Sequence, residues 1–346
     1  MSVYAFNPLT DPRWSEFVHG HPRASIFHTT GWLEALRRTY GYVPMGYTTS
    51  APGELLTNGI VLCRISSWLT GPRMVSLPFS DHCEPLFGHR ESYEEIICSL
   101  QRTLQAEKLR YIELRPRSAG RPAEAWIETA ETFCFHALDL RPALKELFLQ
   151  LQKDCIQRKI RRAEREGLSY ETGRSNVLLK NFYDLLLLTR RRHKLPPQPM
   201  KWFRNLIACL GDRIEIHLAS KGGQPVASLL TLHHGHTLVY KYGCSDENFH
   251  NLGGMPFLFW KVIERAKKQG FQEFDLGRSD ADNTGLITFK DRLAASRSNL
   301  TYLRYSDVHK RRVVTGHGAD IARPVFGLMP NGLLSVAGKL LYRHVG

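Results

Sequence analysis

Two stretches of the chain place apolar residues at helical spacing and then continue into a short alternating run. The first extends from Tyr93 to Arg115 and the second from Met255 to Arg278. Apolar residues three or four positions apart predict an amphipathic helix, whereas strict alternation predicts a half-buried strand. In both copies the strand alternates an acidic residue with apolar ones and ends on arginine, so Glu113 corresponds to Asp275. The pattern therefore predicts one helix–strand unit that occurs twice.

Strand-like runs precede both copies: Val61–Leu69 and Val75–Phe79 before the first, Val226–Leu232 and Leu238–Tyr242 before the second. A meander followed by a helix and a strand predicts an α/β (α+β) fold with a mixed, mainly antiparallel sheet. Because the repeat is too long for a solenoid, we expect two tandem domains, which would enclose a cleft suited to a ligand. We predict an N-terminal domain over 1–140, a C-terminal domain over 141–310 and a basic amphipathic tail over 311–346.

The region between the two repeats is predicted to be helical and basic. Helices are expected from Pro142 to Gly167, from Asn176 to Arg192 and from Lys201 to Leu210, the first ended by its glycine. On the first of them the arginines fall three or four positions apart and share one face. These arginines are Arg158, Arg161, Arg162 and Arg165.

Half of the net positive charge is concentrated in one part of the sequence. The formal net charge is +14, and the segment from Arg158 to Lys194 holds eleven Lys and Arg against four acidic residues. Such concentration favours an anionic partner, namely phosphate, RNA or lipid headgroups, over a solvated helix face.

Composition indicates a globular cytosolic protein. The chain has 346 residues, 42 % of them apolar, and seven cysteines with no C-x-x-C pair, so we expect reduced thiols. The N-terminus has no signal-peptide pattern and no apolar window is long enough to span a membrane. We expect a monomer in the cytoplasm. The segment 329–346 is predicted either to dock on the domain or to lie on the inner face of the membrane.

The densest polar cluster runs from Phe274 to Lys290, where a strand ends in Gly277–Arg278 and acidic residues precede Lys290. Polar side chains at a strand end are typical of a functional site. Gly253 and Gly254, before the second repeat helix, are predicted to offer backbone N–H groups to an anion such as pyrophosphate, or else to form a simple turn. Neither the acidic loop nor the histidines of 233–236 have metal-ligand spacing, so no metal is predicted.

At these residues the chain resembles the FemAB-type aminoacyl/acyl-transferases, which are built of tandem GNAT-like (acyl-CoA N-acyltransferase) domains. The resemblance covers roughly residues 20 to 310. The segments that carry it are Phe27–Trp32, Ser76–Asp81, Arg158–Gly167, Thr189–Pro196, Asp275–Arg278 and Gly285–Lys290.

The resemblance implies transfer of an acyl or aminoacyl group to an amine. It implies acyl-CoA or aminoacyl-tRNA as donor substrate, no tightly bound cofactor, and a phosphorylated or lipid-linked acceptor. It also implies that Arg161 and Arg162 meet acceptor phosphates and that Phe289 and Lys290 lie near the donor. The full set of predicted substrate-binding residues is Trp32, Asp81, Arg158, Arg161, Arg162, Arg278 and Phe289, with Gly253 and Gly254 at the donor.

Direct attack of an amine on an ester or thioester needs a neutral amine, oxyanion donors and exact positioning. Asp275 or Glu113 is predicted to accept the proton, because both occupy equivalent strand positions. Lys290 is predicted to pair a donor phosphate or stabilise charge. Tyr240 and Tyr242 are predicted to share one strand face, where either protonates a leaving group or simply packs in the sheet.

We therefore expect a transferase acting on an amine of a peptidoglycan or polysaccharide precursor. Two alternatives stay open. One is a CoA-dependent N-acyltransferase for an amino sugar or amino acid. The other is a non-catalytic RNA- or lipid-binding protein on a transferase fold.

Overall fold

The computed structural model describes residues 2–117, 127–306, 338 and 340–344. The predicted tail over 311–346 lies outside this range except for 338 and 340–344. In chain order the strands and helices are β1 (Tyr4–Phe6), α1 (Pro12–Gly20), α2 (Thr30–Tyr40), β2 (Val43–Thr48), β3 (Ile60–Ile65), β4 (Arg73–Val75), α3 (Arg90–Ala106), β5 (Ile112–Leu114), β6 (Ile127–Asp139), α4 (Leu144–Gln150), α5 (Arg158–Arg165), β7 (Ser169–Gly173), α6 (Asn176–Arg192), α7 (Met200–Leu210), β8 (Ile214–Lys221), β9 (Gln224–His234), β10 (Thr237–Ser245), α8 (Gly254–Lys268), β11 (Glu273–Ser279), α9 (Thr284–Arg292) and β12 (Ser296–Tyr305).

The chain divides into two compact units. Of the described residues, unit 1 holds those up to Phe133, those from 299 to 306, and 340–344, while unit 2 holds Cys134 to Ser298 and 338. The boundary between the units falls inside two strands. In β6 the residues from Cys134 onward belong to unit 2, and in β12 the residues from Asn299 onward belong to unit 1. The sequence predicts one division at residue 140 and does not predict that two strands cross the boundary. Hydropathy marks where strands lie but does not identify their partners in the sheet.

Both units have the same sheet layout, so the predicted repeat is confirmed. In unit 1 the strands run β1-β2-β3-β4-β5-β12, and in unit 2 they run β6-β11-β10-β9-β8-β7. The strands that flank each repeat helix are parallel, and the other pairs described within each unit are antiparallel. Glu113 pairs with Val75 and Asp275 with Val239 at the matching register of these parallel pairs.

Local sequence explains several element ends. The Thr29 side chain accepts a hydrogen bond from the Trp32 backbone N–H at the start of α2, and Gly41 ends that helix in the left-handed conformation. The predicted strand Val75–Phe79 is wrong beyond Val75, since Leu77 and Phe79 have φ of 57° and 62°. Positive φ at such bulky residues breaks an extended strand.

The helix predicted over Pro142–Gly167 is interrupted. Leu151 is extended, and a π-helical turn, Lys153–Gln157, leads into α5. The buried Gln157 amide donates to the Leu151 carbonyl, and the Gln152 N–H donates to the Arg292 carbonyl at the end of α9. Tertiary hydrogen bonds thus hold a break that helical periodicity does not reveal.

Each unit has its own apolar core. In unit 1, residues of β2–β5, α3 and β12 form the cluster that includes Ile96, Leu100 and Leu303. In unit 2, α4, α5 and α8 pack on the central strands through a cluster that includes Ile160, Phe259 and Phe274. Among the residues described, no helix is both long and apolar enough to cross a bilayer.

Candidate functional site

A cavity of about 310 Å³ lies within unit 2, lined by residues of β9 and of β10, the strand that pairs in parallel with β11. The pairing of β10 with β11 extends from Thr237 with Glu273 to Val239 with Asp275. Beyond that register both strands contain a bulge, at Tyr240/Tyr242 in β10 and at Asp275/Arg278 in β11. Because bulges redirect a strand and disrupt its ladder, they leave room for a cavity beside the central strands.

The start of α8 forms one wall of the cavity. Gly253 has a φ of 78°, and a Cβ there would lie 2.6 Å from the carbonyl oxygen of Lys159. Gly254 packs against Ala227 and Val226, where a Cβ would lie 3.2 Å from that of Ala227. The two glycines thus let α5 and β9 approach the first turn of a 15-residue helix, whose backbone N–H groups favour an anion. The structure places both predicted donor glycines at the cavity.

Two cations also line the cavity, Lys159 of α5 and Arg292 of α9. Sequence reasoning missed both as site residues. In the sequence Lys159 lies between Arg158 and Arg161, and the basic face predicted for those arginines does not single it out. Arg292 reaches the cavity through the position of α9 in the fold. The helix break at Leu151 is what turns Cys155, Ile156 and Lys159 toward this wall.

His250 and Ser245 line the cavity near the glycines and hydrogen-bond each other, with Nε2 and Oγ 2.9 Å apart. Burial lowers the pKa of His250, and the positive charge of Arg192 lowers it further. The imidazole is therefore neutral near pH 7 and acts as a hydrogen-bonding group rather than as a cation.

The predicted catalytic residues Asp275 and Lys290 both hydrogen-bond the backbone of Gly277. Asp275 is 1 % exposed, and its Oδ1 accepts a 2.7 Å hydrogen bond from the Gly277 N–H. Lys290 is 2 % exposed, and its Nζ donates to the carbonyls of Gly277 and Arg278 at 3.0 Å each. Both side chains therefore fix the β11 bulge. Phe289, the neighbour of Lys290 on α9, lines the cavity and packs on Phe259.

Tyr240 and Tyr242 do not share a face, so that prediction is wrong. Tyr240 lines the cavity and packs on Phe259 of α8. Tyr242 is buried against Phe203 of α7, and its hydroxyl accepts from Trp202 Nε1 at 2.9 Å. The bulge between the two tyrosines adds a residue to β10 and turns them to different helices.

The predicted basic face of α5 is exposed. Arg158, Arg161 and Arg162 lie outside the cavity lining, and the guanidinium of Arg161 stands over the Phe148 ring at 5.6 Å. Their neighbour Lys159 is the α5 cation that reaches the cavity. The end of α6 adds Arg192, which donates to the carbonyl of Ser245, a lining residue.

The remaining predicted residues lie in unit 1 or on the bulge. Trp32 is fully buried and packs edge-on against Phe27, whereas Asp81 is half-buried and its carbonyl accepts from the Tyr302 hydroxyl. Arg278 is half-buried on β11. The structure therefore brings Phe289, Gly253 and Gly254 to the cavity, and places Trp32 in a core.

Glu113 is buried between two arginines of unit 1. Its Oε1 lies 2.9 Å from Arg115 and its Oε2 lies 2.7 Å from Arg304. Burial alone would raise the pKa of Glu113, but the two guanidiniums outweigh it and hold that pKa below its ordinary value. A carboxylate held ionised in this way is a weak proton acceptor.

Known proteins match this arrangement. Residues 152–290, which include the cavity lining except Arg292, match the family model described as "Acetyltransferase (GNAT) domain". A UDP-N-acetylmuramoylpentapeptide-lysine N(6)-alanyltransferase of Weissella viridescens is 25 % identical over 146 residues. That alignment spans 41 % of this chain and 43 % of the relative, so the chain spans less than half the length of the curated relative that it matches.

Solved structures show the same fold across most of the chain. FemX is 14 % identical, with a TM-score of 0.69 over 89 % of this chain and 98 % of that one. A tandem GNAT protein from the clavulanic acid biosynthesis pathway is 11 % identical, with a TM-score of 0.56 over 88 % and 98 %. The predicted resemblance is thereby confirmed: residues 152–290 match a GNAT acetyltransferase model, and the fold resembles those of FemX and of the tandem GNAT protein.

Proposed function

We propose that this protein transfers an acyl or aminoacyl group onto an amine of a phosphorylated cell-envelope precursor. The observation that carries the proposal is the cavity of unit 2, where a helix N-terminus and Lys159 lie at one wall and Phe289 at another. The printed name of the Weissella viridescens relative, an alanyltransferase acting on the lysine of a UDP-linked pentapeptide, supports this class of group and acceptor.

The donor binds with its phosphate-bearing end at Gly253, Gly254 and Lys159. Helix N-termini and lysine both favour phosphate oxygens. The neutral His250 and its partner Ser245 supply hydrogen bonds beside them. The carbonyl carbon to be attacked then lies toward Tyr240 and Phe289.

In the reaction a neutral acceptor amine attacks this carbonyl carbon. A C–N bond forms, the C–O bond of an ester or the C–S bond of a thioester breaks, and the proton that the amine loses ends on the leaving oxygen or sulfur. Lys290 and Asp275 lie outside the cavity lining and serve as positioning residues, since both hold the β11 bulge at Gly277. Tyr240, which lines the cavity, is a better placed acid for the leaving group than Tyr242.

The surroundings of the cavity favour a polyanionic donor. The exposed arginines of α5 and the basic end of α6, tied to Ser245 through Arg192, extend positive charge beyond the cavity itself. Aminoacyl-tRNA uses such a surface along its backbone, whereas acyl-CoA needs only its pyrophosphate contacts. The acetyl-CoA alternative rests on the match of residues 152–290 to the acetyltransferase model.

The deciding experiment offers the purified chain both donors with a UDP-linked muramyl pentapeptide as acceptor. Mass spectrometry would detect one acyl or aminoacyl mass added to the acceptor amine. Product from charged tRNA supports the main proposal, and product from acetyl-CoA alone supports the CoA-dependent alternative. Binding of either donor without product on any amine acceptor would favour the non-catalytic alternative.

We expect Lys290→Met to lower kcat by about 10²-fold, since it removes the hydrogen bonds to the Gly277 and Arg278 carbonyls that hold the β11 bulge in position. Because Lys290 is buried, circular dichroism and thermal unfolding must first show a folded variant. A folded Lys290→Met enzyme with normal kcat would contradict the assigned role.

We expect Lys159→Gln to raise the donor KM by about tenfold with little change in kcat, because one charged hydrogen bond to phosphate is lost. Lys153→Gln is the matched control, since Lys153 is an exposed lysine close in sequence that does not line the cavity. Equal effects of the two substitutions would show that only general charge matters.

A further inference from the structure

Exposed apolar side chains gather at one end of the unit 1 sheet. Trp68 is 87 % exposed, Leu69 and Val43 are each 54 % exposed, and Leu340 is 64 % exposed. These four residues, which we name the Trp68 patch, are half of the large apolar side chains that are exposed among the residues the structure describes. Trp68 and Leu69 are adjacent in the β3–β4 loop, and exposed apolar side chains that cluster mark a binding site more often than scattered single residues do.

The C-terminal segment 340–344 joins these residues. Its Tyr342 carbonyl accepts from the Tyr42 hydroxyl at 2.6 Å, next to Val43. Its His344 ring packs against the Trp68 ring at 5.6 Å and hydrogen-bonds Ser67 Oγ. Of the two predictions made for the tail, the described residues fit docking on the domain. Leu340 lies one helical turn before His344 in this segment.

The loop that carries Trp68 and Leu69 is an ordered turn. Ser67 Oγ accepts from the N–H groups of Leu69 and Thr70, and the Ser67 carbonyl accepts from Gly71 N–H at 2.8 Å. Gly71 has a φ of 80°, which a left-handed position in a tight turn requires. The backbone therefore presents Trp68 and Leu69 to the outside in a fixed conformation instead of letting them fold inward.

Positive charge flanks the patch. Arg110 and Arg343 are exposed, and Arg110 donates to the Thr70 carbonyl at the same turn. Neither segment 66–72 nor segment 340–344 contains an acidic residue. An exposed tryptophan beside aliphatic residues and arginines is the combination that inserts at the headgroup level of a bilayer, where anionic lipids attract the cations.

We propose that the Trp68 patch docks unit 1 on an anionic lipid bilayer. Trp68 and Leu69 enter the headgroup region, Leu340 and Val43 widen the contact, and Arg110 and Arg343 face lipid phosphates. The inference is independent of the proposed transfer reaction, because it uses no residue of the unit 2 cavity. It places the protein at the surface where lipid-linked acceptors are found.

The test is co-sedimentation of the full chain with phosphatidylcholine vesicles, with and without phosphatidylglycerol. We expect binding to the mixed vesicles, and a loss of at least about tenfold in affinity for Trp68→Ala combined with Leu69→Ala. Leu55→Ala is the matched control: Leu55 is 72 % exposed and lies in the β2–β3 connection, at the opposite end of that hairpin from Val43. It should bind like the unchanged chain.

Arg343→Gln separates the charge contribution from the apolar one. It should weaken binding only to vesicles that contain phosphatidylglycerol. Equal binding of the Trp68/Leu69 double variant and the unchanged chain would overturn the proposal, as would no binding to either vesicle. A dimer in sedimentation velocity that the double variant abolishes would instead assign the patch to a second copy of this chain.

Discussion

At the residue scale, the cavity depends on a glycine that no other residue replaces without strain. Gly253 combines a left-handed φ with close approach to the Lys159 carbonyl. The sequence offers Gly253 and Gly254 as a weak anion signal, but the physical requirement is steric: α5 must pass close to the start of α8.

We expect Gly253→Ala to abolish detectable donor binding, because its Cβ would overlap the Lys159 backbone and push α5 from the cavity. Gly222→Ala is the control, since Gly222 has a φ of 56° but nothing within 4 Å of its Cβ position. Calorimetric donor titration of both variants separates the effects. Equal losses of donor affinity in the two variants would show that strain at a positive φ explains the effect, and not the contact with the Lys159 backbone.

Glu113 also acts at the residue scale, as a buried charge held by two partners. We expect Glu113→Gln to lower the free energy of unfolding of unit 1 by about 3 kcal/mol, because Arg115 and Arg304 would lose their counter-ion. Urea unfolding followed by circular dichroism measures this. Glu94→Gln, at an exposed ion pair with Arg90, should change stability by less than about 1 kcal/mol.

The same variant carries a pH prediction. The folded pKa of Glu113 lies below its ordinary value of 4.5, so its stabilising contribution is complete above that pH and is lost as the pH falls through the folded pKa. The stability gap between the unchanged chain and Glu113→Gln should therefore stay constant from neutral pH down to about 4.5 and narrow below it. A constant gap down to acid unfolding would contradict the assignment.

At the element scale, buried polar groups and bulges set strand positions in unit 2. His217 of β8 bonds Thr231 of β9 through Nε2 at 2.8 Å and Tyr170 of β7 through Nδ1 at 2.9 Å. Burial lowers the pKa of His217 to about 4. One neutral imidazole therefore joins three strands. The bulges of β10 and β11 interrupt the regular strand pairing.

We expect His217 to make this sheet acid-sensitive. In the unfolded chain His217 is protonated below its ordinary pKa of 6.5, whereas in the folded chain it stays neutral down to pH about 4. The free energy of unfolding therefore falls between pH 6.5 and about 4, by about 3 kcal/mol in total. His217→Asn should reduce this slope, whatever its effect at neutral pH. Urea unfolding at several pH values measures the slope, and an unchanged slope would refute the idea.

At the scale of the whole molecule, the chain returns to unit 1 at its C-terminal end. The His344 carbonyl accepts from Arg73 Nη2 at 2.8 Å and from Thr70 Oγ1 at 2.9 Å. Arg73 is 2 % exposed. A residue far away in the sequence thereby supplies an acceptor to a buried guanidinium.

We expect removal of residues 340–346 to lower the free energy of unfolding of unit 1 by about 1–3 kcal/mol, because Arg73 would lose an acceptor inside the fold. Arg343→Gln keeps the backbone acceptors and should leave the melting temperature almost unchanged. Calorimetry of both variants distinguishes the docked backbone from the charge. An unaltered melting temperature of the truncated chain would contradict the structural role.

The sequence by itself determined the local elements and their duplication. The α6 range Asn176–Arg192, the cap at Thr29 and the matched registers of Glu113 and Asp275 follow from periodicity and capping, which depend on near neighbours. The two candidate donor glycines and Phe289 were likewise found from motifs and resemblance.

Only the tertiary structure decided which side chains meet. The break at Leu151, the opposite placement of Tyr240 and Tyr242, the arrival of Lys159 and Arg292 at the cavity, and the crossing of the unit boundary by β6 and β12 all depend on contacts between distant segments. The Arg292 carbonyl of α9 accepts a hydrogen bond at the helix break, and Lys290 of α9 holds the β11 bulge through the carbonyls of Gly277 and Arg278. Hydropathy cannot identify such partners, because it indicates whether each position is buried and not which residue lies next to it.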